Sequence, residues 1–536
     1  MTPTGGLSHR ASRGAMVTAS GLWLKTLIQL GSTMLLARLL DPADFGLVAM
    51  VMAIVGVADL VRDFGMTGAI LQARSLTPRQ WSGLMWFSVL LGGGLMVAVA
   101  ASAPLLAALY REDRLIVLTL AIAPTLLING IAMPMQARVQ RELRFGTLAQ
   151  IDVVAMALGV ALSIVAALLG WGVWSLVVLA GSGQIYRLIA LWIAAKPPWE
   201  RPRLRSGIRP FVTTGGSIFG VQLLNYAARN LDNVVIGQQL GPAALGQYSR
   251  AYALFLLPQQ QLTAPLGRVA LPVLASLQDD PDRYRRYVRG SLTVLGYLSL
   301  PTYAIASAVA APLMLVLLGP GWDQAAQVFA LLAIAGAAQG IGNVQGWLYI
   351  TLGRAHRQLV YFLITKPIVI ALFFVGIWWN GLVGLALLYG LATVLVDVVP
   401  GFAVAIRGTF VRGWADVAQP LLRPLLLVPF AYAAAVGAVA ASAGLAAPLQ
   451  VVAGGLAGVV VMAGASLLPP FRRDYRMMFD FVRQARTPRR AQDAAPAADT
   501  PVDAEAPLLG ATEPTQSEVT ALVSAELDEA RKELRG

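Results

Sequence analysis

The chain has no cysteine and only two histidines, His9 and His356, in 536 residues. Disulfides and thiolate metal sites are therefore excluded, and two scattered histidines cannot build a catalytic base or a metal cluster. Charge is equally scarce: Asp, Glu, Lys and Arg are 13% of the residues against 57% hydrophobic. A soluble protein of this length needs a far more polar surface. No large loop on the outer side offers room for an active site, and no paired carboxylates lie together outside the apolar runs. Asp279-Asp280-x-Asp282 resembles a metal-binding run, but Arg283, Arg285 and Arg286 follow it, which suits a solvated helix start.

What is abundant is apolar sequence. Runs recur about every 30 residues, many of them 18 or longer, and they are continuous rather than alternating, which points to helices and away from a barrel. The pattern predicts an all-α integral membrane protein of about fourteen transmembrane helices: 16–40, 44–66, 81–109, 114–135, 148–169, 172–195, 211–236, 244–272, 288–318, 323–352, 357–378, 381–406, 421–441 and 446–468.

The net charge of +13 fits this reading without nucleic acid as a partner. Alternate connections are basic, among them Arg74 and Arg79, Arg138, Arg141 and Arg144, Lys196 to Arg209, Arg283 to Arg289, Arg354 and Arg357, and Arg407 to Arg423. The opposite connections are short, and of these only Tyr110 to Asp113 carries basic residues, with Arg111 and neighbouring Arg114 offset by Glu112 and Asp113. By the positive-inside rule the helix count is even and both termini are cytoplasmic. Trp171, Trp322, Trp378 and Trp379 fall at the outer helix ends and read as interfacial anchors. The first 14 residues are polar and basic, so no cleavable signal is expected before the first helix.

Two short motifs recur. Val17-Thr18-x-x-Gly21 is echoed by Val212-Thr213-x-x-Gly216, and Leu40-x-Pro42-Ala43-x-x-Gly46 by Leu240-x-Pro242-Ala243-x-x-Gly246. Their common order suggests two six-helix lobes related by a parallel repeat, with two extra C-terminal helices. The organisation expected is a cytosolic N-terminus (1–15), an N-lobe (16–195), a basic linker (196–210), a C-lobe (211–407), two further helices (408–470), a basic amphipathic segment suited to anionic membrane lipid (471–490) and a mostly disordered cytosolic tail (491–536).

Charges inside the apolar runs are the functional signal, because each costs about 2.5–3.5 kcal/mol at mid-bilayer and such residues usually face a cavity. Gln222, Asn225, Arg229, Asp232 and Asn233 share one helical stripe, and Arg250 follows after the Leu240-Gly241-Pro242-Ala243 turn. Lys25, Arg62, Arg229 and Arg250 are the candidate cavity cations; arginine can clamp a phosphate bidentately. Against this stands internal pairing: Arg229 with Asp232, or Arg62 and Arg187 reaching to the interface. Asp232 and Asp397, with Thr393 on the same face as Asp397, are candidates for coupling to Na+ or H+; Lys366 or an arginine is the competing partner for each carboxylate. No other cofactor is expected. Pro258, Pro301, Pro312, Pro367 and Pro400 lie in or near helices, as hinges or as fixed kinks.

Asn230-Leu231-Asp232-Asn233-Val234-Val235-Ile236-Gly237 and Leu245-Gly246-Gln247-Tyr248-Ser249-Arg250-Ala251-Tyr252 resemble the oligosaccharide-lipid flippases (Wzx-type) of the MOP exporter superfamily. Arg268 to Leu274, Gly319-Pro320-Gly321-Trp322 and Leu352-Gly353-Arg354 extend the resemblance, which covers about residues 10–470. It implies two lobes around a central cavity and a cargo of undecaprenyl-pyrophosphate-linked glycan, moved between leaflets by ion- or potential-driven alternating access. It also implies a bacterial cytoplasmic (inner) membrane and a place in exopolysaccharide or lipopolysaccharide biosynthesis beside polymerase and export machinery. The competing readings are a small-molecule or drug cation antiporter of the same superfamily, a membrane-embedded polymerase or glycosyltransferase, and a membrane scaffold. The antiporters commonly have twelve helices and a carboxylate-rich cavity. An enzyme needs the catalytic outer loop that this chain lacks, so a non-enzymatic role is expected.

Overall fold

A computed structural model describes residues 24–63, 66–73, 76–197 and 209–486. Among them every regular element is helical. In chain order they are α1 (24–39), α2 (Pro42–Asp63), α3 (Met66–Gln72), α4 (Pro78–Ala101), α5 (Ala103–Tyr110), α6 (Arg114–Ile122), α7 (Pro124–Arg141), α8 (Phe145–Leu168), α9 (Trp174–Ala195) and α10 (Arg209–Pro258). Then come α11 (Ala264–Ser276), α12 (Pro281–Ala308), α13 (Ala310–Leu317), α14 (Asp323–Thr351), α15 (Ala355–Ala392), α16 (Val399–Ala405), α17 (Trp414–Ala441), α18 (Ala447–Ala465) and α19 (Pro469–Arg486). Two single π-helical turns interrupt the series, at Gln259–Thr263 and Thr393–Val398.

By length and apolarity nine described helices can cross a membrane, or ten if α12 and α13, bent by 75° at Val309, count as one crossing. That number is smaller than fourteen partly because long helical runs double back. The helical stretch from His356 to Ala405 counts once, yet α15 breaks at Asn380 and Gly381, where Gly381 takes a positive φ of 53°. Its two arms then touch backbone to backbone: a Cβ on Gly376 would stand 2.7 Å from the Leu385 Cα. α10 breaks likewise at Gly241 (φ 82°), in the Leu-Gly-Pro-Ala turn expected from the sequence.

Local sequence explains the helix starts. Thr77 and Gln80 form a reciprocal capping box before Pro78, with the Thr77 N–H donating to Gln80 Oε1 at 2.9 Å and the Gln80 N–H to Thr77 Oγ1 at 3.3 Å. In the acidic run before α12, Asp280 accepts the Arg283 N–H at 3.0 Å and serves as its N-cap. Small residues let helices approach closely: Gly92 of α4 meets Gly130 of α7, and Gly159 of α8 meets Gly183 of α9.

Large apolar side chains stay on the outside, with Leu90 71% and Trp378 88% exposed. This is the surface of a protein that meets lipid, since nothing is gained by hiding leucine from hydrocarbon. The main core joins α1, α2, α6, α10, α14 and α15. A second core lies among α11, α12, α14, α16 and α17.

The two ends of the bundle differ. At the basic end, arginines close helix C-termini: Arg141 donates to the Ile70 carbonyl, Arg144 to that of Ala194 and Arg354 to those of Arg407 and Gly408. The short, arginine-poor connections gather at the other end. There the pair expected to offset itself does so: Nε and Nη2 of Arg114 donate to the two Glu112 carboxylate oxygens, at 2.7 and 2.9 Å, which holds the Glu112 carboxyl below its ordinary pKa.

Candidate functional site

The break at Gly241 sets the site. It turns the second arm of α10 back along the first, so that Asp232 and Tyr248, sixteen residues apart, meet at 2.6 Å. The Tyr248 hydroxyl donates to Asp232 Oδ2, and the Asn233 N–H donates to Oδ1 at 2.8 Å. Both side chains are buried, so the carboxylate is satisfied by neutral donors. Among described side chains, then, the partner of Asp232 is a tyrosine. The Arg229 side chain lies outside the described part of the structure.

Beside this pair lies a cavity of about 350 Å³ between α1, α2, α9 and both arms of α10. Ser32 and Thr33 line it from α1, Phe45 and Met52 from α2, Leu176 from α9, and Asn230, Asn233, Ser249 and Arg250 from α10. Arg250 is the one cation among its described lining residues. Its guanidinium carbon stands 4.9 Å from the centre of the Phe45 ring, a cation–π contact that fixes the guanidinium plane. Its buried Nε has no hydrogen-bond partner among the described residues. A guanidinium positioned this way keeps donors for an anion, and two adjacent N–H groups match a phosphate.

The other candidates stand elsewhere. Lys25 is half-buried on α1 and does not line the cavity. Arg62, in the last turn of α2, pairs with Asp59 at 3.0 Å. Arg187 of α9 is held by Asp152 at 2.9 Å and Gln136 at 2.7 Å. Asp397 sits on the second π-helical turn, where Lys366 donates to Oδ2 at 2.8 Å while lying 4.9 Å from the Phe362 ring. Its buried Oδ1 has no partner among the described residues. Thr393 donates its hydroxyl to the Tyr389 carbonyl at 2.8 Å. No group of three His, Cys, Asp or Glu side chains among the described residues has the arrangement of a metal site.

A neutral chain runs through the interior beyond Asp232. Gln339 donates to Tyr389 Oη at 2.8 Å and accepts from Gln259, on the first π-helical turn, at 2.9 Å. Tyr248 and Tyr252 stack at 5.6 Å. Of these, Gln259 and Gln339 drew no notice in the sequence; their signal was polar side chains recurring within apolar helices.

At the arginine-poor end the cavity is capped by the two repeated motifs themselves. A Cβ on Gly46 would collide with the Pro242 carbonyl, and a Cβ on Gly246 with the Pro42 carbonyl. Each glycine thus admits the backbone of the other motif. Around this crossing, Arg38 donates to the Val316 carbonyl at 2.7 Å and Gln247 to that of Gly321 at 2.7 Å, while the Ala325 N–H returns to Gln247 Oε1 at 2.9 Å. Trp322 donates to the Ala37 carbonyl at 3.0 Å and packs edge-on against Phe45 at 5.5 Å. With 2% exposure, Trp322 is no interfacial anchor, whereas Trp171, Trp378 and Trp379 are exposed; its loop folds inward at Gly319 and Gly321, both at positive φ.

These features define a class: a multi-pass, all-helical membrane protein with a cavity between its helices lined by a half-buried arginine. The family described as polysaccharide biosynthesis protein matches residues 35–327, more than half of the chain, and the chain belongs to that family. It is 25% identical over 376 residues to the lipopolysaccharide biosynthesis protein WzxC of Escherichia coli (strain K12), covering 68% of this chain and 75% of the relative. It is 24% identical over 356 residues to the teichuronic acid biosynthesis protein TuaB of Bacillus subtilis (strain 168), covering 65% of this chain and 73% of the relative. In fold it is similar to the lipid II flippase MurJ in an inward closed conformation, with a TM-score of 0.64, 11% identity, and coverage of 84% of this chain and 99% of that one. The family membership agrees with the polysaccharide-biosynthesis resemblance read from Asn230–Gly237 and Leu245–Tyr252.

Proposed function

We propose that the protein is a flippase that carries undecaprenyl-pyrophosphate-linked oligosaccharide repeat units from the inner to the outer leaflet of the cytoplasmic membrane, for cell-surface polysaccharide synthesis. The carrying observation is Arg250: a half-buried arginine held over Phe45, with a buried Nε that has no partner among the described residues, lining a cavity between α2 and α10. A diphosphate bridge is the anion that such a group fits. We read the bundle as fourteen crossings in two repeated lobes plus α17 and α18, with the basic end and both termini in the cytosol. On this reading the crossing of Gly46 with Gly246 is the outer gate, closed here, and alternating access opens it as the inner side shuts. Asp232 and Asp397, with Thr393, remain the groups proposed to couple an ion gradient. The described lining of the cavity holds an arginine and no carboxylate, which favours the flippase over a cation antiporter with its carboxylate-rich cavity.

Mass spectrometry of lipids from host cells depleted of the protein tests the reading. Complete polyprenyl-pyrophosphate-linked units accumulating on the cytosolic side are expected, and their composition names the cargo. Unchanged lipid-linked pools with new sensitivity to cationic dyes overturn it in favour of an antiporter. Unpolymerised units displayed on the outer face overturn it in favour of a polymerase.

A further inference from the structure

We propose that α19 is a membrane-surface anchor whose outward face, Arg472, Arg473 and Arg476 beside Met477, binds the headgroups of anionic phospholipids at the basic end of the bundle. The helix has two faces. Phe471, Tyr475 and Met478 point inward, packed on a small core of Tyr297 from α12, Leu427 from α17 and Ala465 from α18. Arg472, Arg473, Arg476 and Met477 are exposed, on the opposite side of the same turns.

The inward face is pinned by one buried carboxylate. Asp474 is 8% exposed and accepts from Arg423 Nη1 at 2.7 Å and from the Tyr297 hydroxyl at 3.0 Å. Arg423 also holds the Pro470 carbonyl at 3.1 Å, and the Tyr475 hydroxyl donates to the Met462 carbonyl at 2.9 Å. Arg423 answers Asp474, and among the described residues no carboxylate pairs with Arg472, Arg473 or Arg476. The neighbouring surface is apolar: Leu467 and Leu468, in the turn before α19, are 83% and 53% exposed. Exposed leucines beside exposed arginines match the boundary where acyl chains give way to headgroups. An acidic protein would meet the arginines but leave those leucines in water. Phospholipid covers both.

Since the chain has no cysteine, a single label can be placed at Met477→Cys in the full-length protein. The protein is reconstituted into nanodiscs of phosphatidylcholine containing headgroup-level spin-labelled phosphatidylglycerol or, separately, spin-labelled phosphatidylcholine. Quenching by the anionic lipid is expected to exceed quenching by the zwitterionic lipid about twofold. The preference is expected to vanish at about 1 M salt, where the screening length falls to about 3 Å. It is also expected to vanish in Arg472→Gln/Arg473→Gln/Arg476→Gln, three exposed substitutions that leave the Asp474 contacts in place. Equal quenching by the two lipids overturns the proposal, as does a preference that survives the triple substitution. A label that neither lipid quenches overturns it as well and points to a protein on this face.

Discussion

The two ends of this bundle hold their helices together by different chemistry. At the arginine-poor end α2 and the second arm of α10 cross through two glycines and the carbonyls of Pro42 and Pro242, with neutral hydrogen bonds from Gln247 and Trp322 around them. At the basic end α12 is fastened to α17 by charge: Arg285 Nη2 and Arg289 Nη1 meet the buried Asp416 carboxylate at 2.7 and 3.1 Å, and the Arg412 N–H adds a bond at 2.9 Å. Parting two backbones strands no charge, whereas parting Asp416 from its arginines leaves a buried carboxylate without a partner. The first contact is suited to opening and closing, and the second to permanence.

The largest effect belongs to the site beside the separable end. Arg250→Ala is expected to lower transport about 100-fold, and Arg250→Lys about 10-fold, because a single ammonium cannot present two parallel donors to a diphosphate. Export of the glycan, normalised to protein in the membrane, measures both. Lysine performing as well as arginine would show that charge alone is read.

Next is the crossing itself. Gly46→Ala is expected to force α2 away from Pro242, and Gly246→Ala to do the same at Pro42. Each is expected to cut transport about tenfold while the bundle stays folded, since overpacking of this kind costs about 1–3 kcal/mol. Labelling of Asn233→Cys from the outer side should rise in both backgrounds, and the double glycine substitution should label no faster than either single one, because both relieve one contact. Slower labelling would mean that the crossing is not the barrier.

Third is the clamp. Asp416→Ala is expected to lower the Tm of the purified protein by about 5 °C, a loss set by the hydrogen bonds to charged groups that it removes. Outer-side labelling of Asn233→Cys should not change. A clamp substitution that opened the outer end would erase the distinction between the two ends.

The parts legible in the sequence are those that local pattern determines. Apolar length gave the membrane helices, the Leu-Gly-Pro-Ala turn gave the break in α10, and the repeated motifs marked two segments that meet in space. Arg250 and Asn233 drew notice as polar groups in apolar helices, and both line the cavity. Partner choice was legible in part: Lys366 meets Asp397 and Arg114 meets Glu112, as the sequence suggested, but the partners of Asp232 and Asp416 were not. Asp232 had Arg229 and Arg250 as neighbours in sequence, yet the described donor is Tyr248, because the fold at Gly241 sets its hydroxyl against the carboxylate while Arg250 turns to Phe45. Asp416 and Arg285 are 131 residues apart, and only tertiary packing joins them. Trp322 looked like an interfacial residue since a tryptophan at a helix end satisfies that pattern; the positive φ at Gly319 and Gly321 turns it inward.

The smallest effect probes charge where the arginine-poor end has it. Glu112 is bound by Arg114, and its pKa is depressed below the ordinary carboxylate value. A carboxyl whose folded pKa is depressed adds stability above its unfolded pKa and loses it as the pH falls through the folded value. The pair is partly exposed, with side chains 59% and 20% accessible for Arg114 and Glu112, so solvent screens it. Glu112→Gln is expected to lower the Tm by about 1 °C at pH 7, with the difference from the parent protein closing at a pH below the ordinary carboxylate range. A difference that grew on acidification would mean that Glu112 is protonated in the folded state. The same substitution should leave the labelling of Asn233→Cys unchanged, because this ion pair lies within one connection and does not bridge the crossing of α2 and α10.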